Sequence, residues 1–74
     1  MDDKMYKEFL ESQLIWSKNQ SAVLEKMESK LREMKEIAET AAGNEVSRAT
    51  REKLNERMAI LKNEYRTLEK QIAY

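Results

Sequence analysis

The sequence has no cysteine, no histidine and no proline, and only one glycine, Gly43. Without cysteine there is no disulfide, no thiolate metal site and no cysteine nucleophile. Without histidine the usual general base is missing, and with it most transition-metal sites and serine–histidine nucleophile systems. One glycine cannot build a glycine-rich phosphate loop. Long apolar runs are absent too. The longest, Met58-Ala59-Ile60-Leu61, falls far short of the ~20 residues of a membrane span. Met1-Asp2-Asp3-Lys4 has neither the basic nor the apolar stretch of a secretory signal. The expectation is a soluble, cytoplasmic chain that is not an enzyme and carries no cofactor and no metal.

Carboxylates are the remaining source of chemistry. Glu33, Glu36 and Glu39 are helical neighbours, but each sits among Lys and Arg on a polar face. A di-metal carboxylate bundle would need Glu-x-x-His motifs, which are missing. A solvated helix face is the simpler reading.

What the chain does have is charge and apolar period. Charged residues make up 38% of its 74 positions, with 14 acidic and 14 basic side chains in balance. High charge, few breakers and regular apolar spacing favour long helices over sheets. The cleanest repeat is Leu54, Met58, Leu61, Tyr65, Leu68 and Ile72, stepping four, three, four, three, four. Such spacing is the seam of a helix packed along another helix. In the first half Leu24, Met27, Leu31, Met34, Ala38 and Ala41 step three, four, three, four, three and form the matching seam.

Asp2 and Asp3 suit the start of a helix near Lys4. Gly43-Asn44 is the one strong stop, with Gly43 suited to a left-handed position after a helix and Asn44 or Ser47 capping the next. The fold expected is an all-α, antiparallel helical hairpin in a single domain. Its long helix covers about 3–42, the turn 43–44, and a second helix about 45–73. At ~1.5 Å per residue the helices would be about 60 Å and 45 Å long. A tight turn sets Leu54 near Met34, Leu61 near Met27, Leu68 near Gln20 and Ile72 near Trp16. Tyr65 and Leu68 would then meet a polar layer around Gln13, Ser17 and Gln20, where the Tyr65 phenol could find a hydrogen-bond partner. The alternative is a break near Ser17–Ser21 that gives a three-helix bundle.

Residues 1 to about 12 would overhang the hairpin. Met5, Tyr6, Phe9, Leu10 and Trp16 are the candidate protein-binding residues there, and Ile60 is a candidate off the main seam. Aromatic and Met side chains at one face are the composition of interface hot spots. A bare hairpin leaves one side of each helix open, so a homodimer closing into a four-helix bundle is expected, covering Ile60, Val23, Ile37 and the overhang. The functional expectation is a small protein-binding regulator or adaptor with an unidentified protein partner. The competing expectation is a structural homo-oligomeric coiled-coil component of an assembly. Lys62, Arg66 and Lys70 form a basic ridge, but the net charge of zero disfavours nucleic acid as partner. The many Glu residues disfavour a membrane surface.

Overall fold

A computed structural model of the protein describes residues 2–43 and 45–72. Two α-helices, α1 (Asp3–Ala41) and α2 (Arg48–Glu69), form an all-α hairpin, and no strand occurs among the described residues. The body is a rod, 66 × 15 × 15 Å. The antiparallel sense follows from the cross-helix pairs. Glu33 meets Arg57, Lys30 meets Glu64, and Gln20 meets Gln71.

Asp2 starts α1, its carboxylate accepting the Lys4 N–H at 3.1 Å. This cap satisfies one of the donors that every helix start leaves free. The helix then runs unbroken through residues 17–21. No three-helix bundle forms. Nothing in Ser17-Lys18-Asn19-Gln20-Ser21 removes a backbone donor or forces a turn, and a helix already nucleated extends cheaply through polar residues.

The link between the helices is longer than a two-residue turn. Ala42 closes α1 through its N–H to the Ala38 carbonyl, and Ser47 caps α2 by accepting the Thr50 N–H at 3.1 Å. The expected cap Asn44 and the expected end Ala73 lie outside the described residues. The second helix starts at Arg48 and ends at Glu69, shorter at both ends than the spacing suggested. Gly43 does not take a left-handed conformation. Its N–H bonds the Thr40 carbonyl at 3.0 Å, and a Cβ at Gly43 would stand 3.2 Å from that oxygen. Close backbone approach, not positive φ, is what glycine permits here.

The longer link slides the register by about one turn. With Arg57 at Glu33 and Glu64 at Lys30, Leu61 lies level with residues 30–33 and not with Met27. The seam of α2 is clear in the burial pattern: Leu61 is fully buried, and Leu54, Met58, Tyr65, Leu68 and Ile72 are partly covered. On α1 the covered residues are Gln20, Val23, Met27, Lys30, Glu33, Met34, Ile37 and Ala41. Leu24 and Leu31, expected in the seam, are half exposed. Two stripes on α1 share Met27 and Met34. One adds Leu24, Leu31 and Ala38; the other adds Val23, Lys30 and Ile37. The second turns the bulk of Ile37 inward where the first would offer only Ala38, and it places Lys30 and Glu33 against Glu64 and Arg57.

Candidate functional site

The part of the molecule that its own fold leaves uncovered is the N-terminal half of α1. Gln20 is the first partly covered residue, and its side-chain amide donates to the Gln71 carbonyl at 3.1 Å, just past the end of α2. Every described residue from 2 to 19 is exposed. The overhang is therefore longer than the dozen residues expected from a tight turn, because the register shifts and α2 ends at Glu69. Trp16 does not lie under Ile72; it stands half exposed.

This segment holds three of the chain's five aromatic residues, Tyr6, Phe9 and Trp16. Met5 is 64% exposed, Phe9 58% and Trp16 49%, with Leu10, Leu14 and Ile15 similarly open. The backbone holds Tyr6, Phe9 and Trp16 along one stripe, since residues three and four apart on a helix share a face. Met5 and Leu10 flank that stripe. These exposed apolar side chains make the segment the candidate site.

The other candidates lie elsewhere. Ile60, 49% exposed, sits on the outer side of α2, more than 100° around the helix from the seam centre at ~100° per residue. It is not brought together with the overhang. Val23 and Ile37, expected to await a second subunit, are already covered within the hairpin. The polar layer does not meet Tyr65. Among the described residues no side-chain hydrogen bond joins Tyr65 to Ser17 or Gln20, because the shifted register brings Tyr65 level with Met27.

One edge of the hairpin carries an ion-pair chain that the spacing alone did not reveal. Arg57 donates two hydrogen bonds to the Glu33 carboxylate, at 2.9 and 3.1 Å, and lies 3.9 Å from Glu64. Glu64 is also paired with Lys30. The Arg57 hydrogen bonds hold the Glu33 carboxyl below the usual carboxylate range, and Glu33 in turn raises the Arg57 guanidinium above its ordinary value. The signal available in the sequence was Arg57 and Glu64 seven apart beside the α2 seam, facing opposite charges on α1. Partly exposed pairs of this kind add little stability but select a register. Beside them a shallow depression of about 330 Å³, lined by Lys26, Lys30, Glu64, Thr67 and Leu68, lies open to solvent. It lacks the convergent polar groups and enclosure of a small-molecule site.

Among the described residues no cluster of three or more carboxylate, thiol or imidazole groups is placed to hold a metal, and no helix is long and apolar enough to cross a membrane. Fold and surface together define a class: a two-helix hairpin with a long, bare, aromatic-rich arm. No family model, curated protein or solved structure matches the chain.

Proposed function

We propose that this is a small, non-enzymatic protein-binding regulator or adaptor acting in the cytoplasm, and that its working surface is the overhanging arm of α1. The observation that carries the reading is the exposure of Met5, Tyr6, Phe9, Leu10 and Trp16 on a stretch of helix that no other described part of the chain covers. The hairpin from Gln20 onward is the handle; it nucleates α1 and so presents the arm as a preformed helix. Binding through a helix that is already folded avoids much of the ordering cost of a disordered segment. A groove or helix with an apolar stripe is the matching surface on the other side. The test compares proteins retained from the native cell by immobilised wild-type chain and by a Phe9→Glu variant. A partner retained by the wild type and lost by the variant is the expected result. Identical retention by both would remove the arm as the working surface.

The second reading is a structural role, as a homo-oligomeric helical component of an assembly. What favours it is the phase of the arm's stripe, which continues that of the hairpin seam. A nucleic-acid role has less support. The basic ridge at Lys62, Arg66 and Lys70 sits on a chain whose charges balance, and phosphate binding usually draws on a basic excess.

A further inference from the structure

The stripe that joins α1 to α2 does not stop where α2 stops. From Val23 the same alternation of three and four continues back through Gln20, Trp16, Gln13, Phe9 and Tyr6. The arm is thus built as a seam position by position, with a row beside it, beginning past α2, that no described residue fills. We propose that a second copy of this chain fills the row. The two arms overlap antiparallel and end to end, as a two-stranded coiled coil about a two-fold axis near Glu11. The proposal rests on reading the arm as the docking surface and names its occupant.

Three features of the arm select this occupant and this geometry. The first is the order of its steps. Tyr6, Phe9, Gln13 and Trp16 are spaced three, four, three, which reads the same in both directions. Reversing a second copy keeps every layer in phase: Tyr6 faces the partner's Trp16, and Phe9 faces the partner's Gln13. Mixed pairing of the two seam positions across each layer is what an antiparallel coiled coil makes, in contrast to the like-with-like layers of a parallel one. The second is charge. The positions that flank the stripe carry Met5, Leu10, Ser12, Ser17 and Asn19, while Lys4, Lys7, Glu8, Glu11 and Lys18 fall on the far side at ~100° per residue. Self-association therefore brings no like charges together along residues 4–19. The third is space. A parallel second copy would run its own α1 into the row that α2 already occupies, whereas an antiparallel copy leads its hairpin away from the first.

The area is sufficient and small. Tyr6, Phe9 and Trp16 are each about half exposed. At the ~150–250 Å² of an aromatic side chain, and with Met5 and Leu10 added, the stripe offers on the order of 500 Å² per copy. The total of roughly 1,000 Å² is at the lower edge of specific interfaces, so the dimer forms in a concentration range accessible to measurement.

The experiment is sedimentation equilibrium of the full chain from about 1 µM to 1 mM, with small-angle scattering at the upper end. Two copies are expected there. Their greatest dimension should be about 105 Å: two 66 Å rods overlapping by the ~26 Å arm. Phe9→Glu should remain a single copy, with the helical circular dichroism and thermal midpoint of the hairpin retained. Gln13→Leu, which replaces the polar member of a layer, should tighten the dimer at least tenfold. A dimer little longer than one rod would mean side-by-side packing and overturn the geometry. A single copy throughout would overturn the proposal, while a protein still captured through the arm would leave the docking reading standing. A Phe9→Glu chain that dimerises as the wild type does, and also retains the same proteins, would overturn both.

Discussion

The two halves of α1 carry the same stripe, yet only one of them is covered. From Val23 to Ala41 the stripe is made of Val, Met, Ile and Ala with one Lys, and it lies against α2. From Tyr6 to Trp16 it is made of Tyr, Phe, Gln and Trp, and it lies against nothing in the chain's described residues. Residue size follows the difference. Where the chain supplies its own partner helix, modest aliphatic side chains suffice to close the gap. Where it does not, the stripe carries the side chains that offer the most area per residue. A helix with one continuous period can thus carry a covered stripe and an uncovered one, and composition, not period, separates them.

The sharpest way to break this comparison is to truncate a large side chain in each half. Among the described residues Leu61 is the only fully buried side chain, and Met27 and Ile37 are its buried companions. Leu61→Ala leaves a cavity in a core of about three residues and should cost ~2–5 kcal/mol, enough to unfold much of so small a hairpin. Phe9→Ala removes as large a side chain from the arm. Followed by circular dichroism in dilute solution, below the range of association, it should leave the unfolding midpoint unchanged, since mass action no longer couples binding to folding. Equal losses from both substitutions would mean that the arm folds back and belongs to the core.

A second contrast tests which stripe of α1 forms the seam. Ile37 is buried and Leu31 is half exposed. Ile37→Ala should cost ~2 kcal/mol or more, and Leu31→Ala well under half of that, read as the shift of the urea midpoint at constant slope. The reverse order would restore Leu24 and Leu31 to the interface. That choice is also where the sequence stops being legible. Helical class, a hairpin hinged near Gly43 and the α2 seam all follow from period and from one breaker, because those are local signals. The α1 seam does not, because Met27 and Met34 belong to two apolar stripes of similar quality. Pairing goes with the second: with Val23 and Ile37 turned inward, Arg57 meets Glu33 and Lys30 meets Glu64. Register was hidden for a related reason. Asn44 and Ser47 are both good caps, and the structure's use of Ser47 lengthens the link, slides α2 toward the link and uncovers Trp16.

The smallest expected effect concerns the edge that sets this register. Arg57 holds the Glu33 carboxyl below its ordinary value of 4.5, chiefly through the two hydrogen bonds it donates. A carboxyl depressed in the folded state binds fewer protons there than in the unfolded chain. Its stabilising contribution is complete above its ordinary value and fades as the pH falls through the depressed one. Wild type should therefore exceed Glu33→Gln in unfolding free energy at pH 7, and the gap should close in acid as the pH falls through that depressed value. The gap should also shrink with added salt, since the pair is partly exposed and screened. Unfolding curves of both chains across that pH range measure it. A difference that persists unchanged into acid would mean that Glu33 acts through packing of its stem and not through its charge, and the register would then rest on the apolar seam alone.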